Sequence, residues 1–207
     1  MSTVHSAIVD PYIHVTKGGA TAAAGTSYRA DGAGSGSWKG PLTLISSGDL
    51  TATASSEDFT GLSAYRELIF VLEHLTTTVA NISPMLQLYS TSGPAWRTTG
   101  YLNTLVSENE NVLTDTDGLR IAKAYTTYCT CIARISNFNS ATEKTTVVSN
   151  GIAHGNSFLS TTALSAGKKG CAYHGSYDTA EAHEGLRFKM SDSSDYSDFY
   201  YSLWGIH

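Results

Sequence analysis

The side chains best able to do chemistry fall in one short stretch: His174, Asp178, Glu181, His183 and Glu184. Imidazoles and carboxylates at this density could exchange protons or ligate a metal, and a catalytic zinc needs three such protein ligands around an open position. The surrounding residues 170–185 are rich in Gly, Ser and Tyr and read as a connecting loop, which leaves these groups in water. A second acidic group, Glu108, Glu110, Asp115 and Asp117, lies between Asn109, Asn111 and Gly118. Two carboxyls roughly 5–9.5 Å apart could hydrolyse a glycosidic bond, but residues 107–118 also read as a solvated loop, and the ligand order of a calcium loop is absent. The densest aromatic run is Tyr196, Phe199, Tyr200, Tyr201 and Trp204. Such rings could stack on sugars. Their alternation instead predicts a core strand with Phe199, Tyr201 and Leu203 on one face and Tyr200, Ser202 and Trp204 on the other. Asp192, Asp195 and Asp198 read as local acceptors in a Ser-rich turn. Trp96, His174 and Tyr177 are the candidates for a glycan-binding surface on loops.

Nucleophile and phosphate motifs are missing. The sequence has no G-x-S-x-G elbow, no P-loop and no H-E-x-x-H. Gly32-Ala33-Gly34-Ser35-Gly36 contains G-x-G but lacks the flanking strand and helix of a dinucleotide fingerprint. Cys129 and Cys131 share one face of a strand and are poorly placed to bond each other, and Cys171 is distant. They read as small buried hydrophobes. No catalytic residue, cofactor or metal is expected.

Composition narrows the class further. The 207 residues include 13 Lys+Arg and 18 Asp+Glu, a formal net charge of −5, and only 15% are charged. That is well below the roughly 25% usual for soluble domains; Ser, Thr, Ala and 19 Gly replace the missing charge. A mildly acidic chain displaces few phosphate counterions, so nucleic acid is not an expected partner. No apolar run is long enough for a membrane-spanning helix, and no secretory signal is expected at the N-terminus. Sparse charge also leaves sheet edges poorly protected, a deficit that oligomerisation would relieve.

The elements that must position these residues divide at residue 41. Residues 1–41 hold seven glycines and scattered apolar hooks, Tyr12, Ile13, Tyr28 and Trp38, without a sustained period. They are expected to form an extended, poorly regular arm that docks on a partner through those four residues. Residues 42–207 read as a mainly β body of short strands separated by turn chemistry, a β-sandwich or jelly roll. Expected strands include 42–45, ending at a break over 46–49, then 50–54, 66–75, 85–89, 96–106, 125–138, 145–149, 186–190 and 199–206. Residues 62–75 also fit a helix, with Tyr65, Leu68, Ile69, Leu72 and Leu75 on one stripe; the strand reading is preferred.

Both ends resemble a known group. Asp10-Pro11-Tyr12-Ile13-His14 followed by Ala30-Asp31-Gly32-Ala33-Gly34-Ser35-Gly36-Ser37-Trp38 resembles the N-terminal region of structural and fibre proteins of tailed bacteriophages. Tyr201-Ser202-Leu203-Trp204-Gly205-Ile206, with Phe59-Thr60-Gly61-Leu62, is similar to the closing and opening strands of phage β-sandwich domains. Trp204 stands where Tyr is common in that group. The resemblance implies a non-enzymatic virion protein with a jelly-roll-like body, commonly a homotrimer, assembled in the host cytoplasm beside the major capsid protein or tail components. Capsid decoration (cement) or a head fibre fits one arm and one body. A tail adhesin that binds host glycans is the alternative, and a small depolymerase acting through the acidic loops is a third.

Overall fold

The structure, a computed structural model, describes residues 27–30, 36–39, 42–50, 55–77, 82–93, 95–105, 111–115, 117–122, 128–155, 167–191 and 196–207. The chain divides into two compact units, Met1–Pro41 and Leu42–His207. In the first, β1 (Ser27–Ala30) and β2 (Gly36–Lys39) pair antiparallel with Tyr28 opposite Trp38. The rest of the arm expected over residues 1–41, Tyr12 and Ile13 included, lies outside the described residues.

The second unit is a sandwich of two antiparallel sheets, and no helix occurs among the described residues. The larger, eight-stranded sheet contains β3 (Thr43–Leu50), β5 (Glu67–Thr77), β8 (Tyr101–Leu105), β9 (Asn111–Asp115), β11 (Cys129–Ser136), β12 (Thr146–Gly155), β13 (Gly167–Tyr177) and β15 (Tyr196–Ile206). Their order is β3-β15-β5-β11-β12-β13-β8-β9. The five-stranded sheet contains β4 (Ser56–Phe59), β6 (Pro84–Ser90), β7 (Ala95–Trp96), β10 (Leu119–Arg120) and β14 (His183–Met190). Its order is β10-β6-β14-β4, with β7 also paired to β6.

Period-2 burial sets the facing of both sheets. Cys129, Cys131, Ala133 and Ile135 point inward from β11 and alternate with exposed residues, so both cysteines are core residues as expected. Phe199, Tyr201 and Leu203 do the same on β15. Between the sheets, Phe70, Phe199 and Tyr201 of the larger meet Phe59 and Phe188 of the smaller. Phe70 stacks on Phe188 at 5.7 Å, and Phe59 meets Tyr201 edge-on at 5.2 Å. Each fully buried large ring contributes about 1.5–3 kcal/mol.

β5 explains the helix-like spacing of its sequence. Leu68, Phe70 and Leu72 are buried on one face, as a strand requires. Leu72 pairs with Cys131 but Leu75 with Cys129, so one extra residue bulges out at Glu73–His74, where His74 has φ of 58°. The bulge shifts the phase by one position. Leu68, Leu72 and Leu75 thereby imitate a helical stripe, while Ile69 faces the other side.

Four expectations on strand limits are corrected. The break at 46–49 is absent, because β15 pairs along β3 from Thr43 to Leu50. The acidic loop contains β9, whose Asn111–Asp115 pairs with β8. Residues 170–185 are a loop only over 178–182, because β13 and β14 occupy the rest. Asp198 belongs to β15, not to a turn. Polar Ser, Thr and Gly suit these strands because one face meets water or backbone, not an apolar layer.

Gly151 lies in β12 opposite Cys131. A Cβ there would come within 2.7 Å of both Cys131 Cβ and the Thr130 carbonyl oxygen, and backbone cannot swing aside. Gly151→Ala is expected to lower stability by about 1–3 kcal/mol, read as a fall in the midpoint of urea denaturation.

Candidate functional site

At one end of the sandwich the chain changes sheets twice. It leaves β7 for β8 through residues 97–100, and leaves β13 for β14 through residues 178–182. The β6–β7 turn Ser90-Thr91-Ser92-Gly93 is set by its own side chains, since the Ser92 amide donates to Ser90 Oγ at 3.2 Å. Beyond β7 the Arg97 amide continues the pairing by donating to the Leu88 carbonyl at 2.8 Å. Across this end, the Asp178 amide donates to the Gly100 carbonyl at 2.7 Å and the Thr91 amide to Ala182 at 3.3 Å.

Glu181 joins the two connections. Arg97 grips its carboxylate with two parallel bonds, Nε to Oε1 and Nη2 to Oε2, each 2.6 Å. The hydroxyls of Ser90 and Ser92 donate to Oε2 at 2.7 and 3.0 Å. The carboxylate is largely buried, with 10% of the Glu181 side chain exposed against 26% of Arg97. Burial disfavours its charge, but hydrogen bonds from Arg97, Ser90, Ser92 and Tyr177 outweigh that and hold its pKa down at about 2. Tyr101 supports the arginine from below: its hydroxyl donates to the Arg97 carbonyl and accepts from the Leu88 amide, both at 3.0 Å. Burial pushes the Tyr101 phenol up, so it stays protonated and can donate.

His183 sits two residues on, fully buried, with its ring 5.5 Å from Tyr177 and 5.7 Å from Phe138. Neither ring nitrogen makes a well-formed hydrogen bond among the described residues, and the Tyr89 backbone gives the ring only weak polar support. Burial lowers its pKa to about 4 against the opposing pull of Glu181, so the imidazole is neutral near pH 7.

The expected cluster is therefore split by the strands. His174 is exposed on β13, and Asp178 is exposed and paired with Lys144 at 2.6 Å. Glu184 bulges from β14 and contributes its backbone carbonyl to the Leu62 amide at 2.8 Å. Among the described residues no three His, Cys, Asp or Glu side chains are grouped to hold a metal. Trp96, His174 and Tyr177 do not form one surface. His174 and Tyr177 lie three apart on β13 and face opposite sides, and the Tyr177 ring is buried against Tyr101 at 5.2 Å. Trp96 is half-buried on the smaller sheet, edge-on to Tyr89, with the Arg187 guanidinium 4.2 Å over its ring. Arg187 in turn forks onto Asp58 at 2.5 and 2.7 Å. Of the second acidic group, Asp117 pairs with Lys189 at 3.5 Å, the backbone of Asp115 belongs to β9, and Glu108 and Glu110 lie outside the described residues.

Sequence reasoning missed Ser90, Ser92 and Arg97. Only the Ser-Thr-Ser-Gly turn gives a local signal, because Arg97 and Glu181 are 84 residues apart. What the arrangement does chemically is neutralise a buried carboxylate. All its acceptor sites face fixed donors, which is the pattern of a structural clamp.

Arg97→Ala would leave that carboxylate buried without its cation. The expected loss is about 2–4 kcal/mol, the lower values reflecting the partial exposure of Arg97; chemical denaturation measures it. Acid should weaken the fold in two stages. Between about pH 6.5 and 4 the unfolded chain binds a proton that folded His183 refuses, so stability falls with pH by on the order of 3 kcal/mol. Below about pH 4.5 unfolded Glu181 protonates while the folded carboxylate resists down to about 2, and its contribution is lost over that window. Thermal melts of His183→Leu should lack the first slope and keep the second.

Set against known proteins, the chain matches no family model and no curated protein.

Proposed function

We propose that this chain is a non-enzymatic structural subunit of a bacteriophage particle, a capsid decoration or head-fibre protein whose N-terminal arm docks on neighbouring virion subunits. The observation that carries the reading is the use of Glu181. The most reactive-looking carboxylate of the body has its oxygens bound to Arg97, Ser90 and Ser92 and is held ionised, so it serves to tie strands together. An enzyme's acid or base needs a pKa near working pH and an unengaged oxygen toward substrate. The sequence resemblance at both ends supplies the particle context. The hairpin of β1 and β2, with Tyr28 and Trp38 in opposed positions, gives the arm a compact feature with which to engage a partner.

A second reading, the glycan-binding tail adhesin, draws support from Trp96. Its indole sits beside the Arg187–Asp58 fork, and aromatic rings beside paired polar groups suit sugar recognition. It differs from the trio expected from sequence, because Tyr177 is buried.

Deleting residues 1–41 separates the two. For the decoration protein, the remaining body melts cooperatively but no longer co-sediments with capsids lacking the protein; retained binding would sink the arm's role. For the adhesin, the intact protein would block infection competitively and Trp96→Ala would abolish that block, with capsid binding unaffected by either change.

A further inference from the structure

The outer face of the larger sheet is apolar where solvent should favour polar groups. Ile132 on β11 is 55% exposed, and Val148 and Ile152 on β12 are 45% and 46% exposed. Val71 lies directly opposite Ile132, while Val148 and Ile152 are its diagonal neighbours on the other side. Ile69 and Trp204 extend the same face across β5 and β15, in register with each other. The intervening positions Thr130, Asn150 and Ser202 are neutral. The central side chains able to carry charge are His174, directly opposite Val148, and Arg134 and Glu67, the last two already paired through Nε and Oε2 at 2.9 Å. Acid gathers only at one corner, where Asp49 and Glu73 flank Tyr200.

Size is the second consideration. Six strands, β3 to β13 in sheet order, spaced about 4.8 Å and each presenting about eight residues at 3.3 Å, span about 750 Å². A stable complex of standard size buries about 800 Å² on each partner, close to the footprint of this whole face.

We propose that this face packs against the same face of a second copy of the chain. A chain of net charge −5 resists self-approach wherever its acids are unpaired. Here the central carboxylate already has its cation, so two copies can meet without confronting like charges. Packed sheets lie about 10 Å apart with strands inclined by about 30°, the geometry of aligned sandwiches. A two-fold axis would place each Ile132–Val148 centre against its mate and each acidic corner at the solvent-facing rim. The inference stands apart from the particle reading, since it concerns the protein in isolation.

Sedimentation equilibrium of the full chain at micromolar concentration tests it. The wild type is expected to be dimeric. The double variant Ile132→Lys, Val148→Lys is expected to be monomeric with an unchanged near-ultraviolet circular dichroism spectrum, and Ile132→Thr, Val148→Thr to weaken association about tenfold or more. If the lysine variant fails to fold, the threonine variant decides. A wild type that stays monomeric overturns the proposal, and so does any oligomer that survives the substitutions in a folded protein. A wild type that is monomeric yet co-sediments with capsids overturns this inference alone; capsid binding retained on deleting the arm, with the dimer intact, overturns only the particle reading.

Discussion

A buried carboxylate must be met by donors wherever it lies, and Glu181 imposes that condition on one whole end of the sandwich. The donors come from the β6–β7 turn and from Arg97, while the acceptor comes from the connection between β13 and β14. Neither segment can shift alone without stranding charge. Tyr101 then carries the constraint into the core, because its hydroxyl bridges Arg97 to the backbone of β6. His183 and Tyr177 close the space behind it with packed rings, and the Tyr177 hydroxyl adds its hydrogen bond to Glu181. One ion pair thus fixes where two strands leave one sheet and enter the other.

Next to this clamp, beyond Phe138, the same end uses shape in place of charge. Gly205 has no Cβ, and one placed there would lie 2.2 Å from the Tyr65 ring. Tyr65 therefore rests directly on the backbone of β15 and also contacts the His207 ring at 4.6 Å. The Arg66 amide donates to the Ile206 carbonyl, and the Phe138 amide to that of Arg66, both at 2.8 Å. The Trp-Gly-Ile ending thus has a local physical reason that requires no ligand. At the small sheet's edge, Glu57 lies opposite Phe188, and burial raises its pKa. A charge placed there opposes edge-to-edge pairing.

Much of the β body was legible because burial alternates along β11, β14 and β15, where one face meets the core. Legibility failed wherever polar or glycine-rich residues form strands. The second half of β3 owes its structure to β15, far along the chain, while β9 and β13 take theirs from pairing with β8 and β12 in stretches too polar for a local period to report. β5 was ambiguous for a specific reason: a one-residue bulge makes its strand spacing coincide with a helical stripe. The aromatic C-terminal run was readable as core because alternation alone predicts it. The clamp was unreadable, since it depends on pairing residues far apart, and His183 looked like a ligand only because its neighbours in sequence are not its neighbours in space.

The position of β15 in its sheet has a temporal meaning. It pairs with β3 on one side and β5 on the other, and the Ser46 and Tyr201 hydroxyls that meet across it at 3.0 Å are 155 residues apart. During translation β5 must wait beside an unfilled slot until β15 emerges. Pairings of such separation close slowly, and open edges invite foreign strands in the interval. A ribosome stalled before Tyr196 releases a chain whose large sheet is split, with no surface on which Trp204 and Ile69 lie side by side. The order of synthesis therefore withholds the Trp204 side of the outer face until β15 has paired.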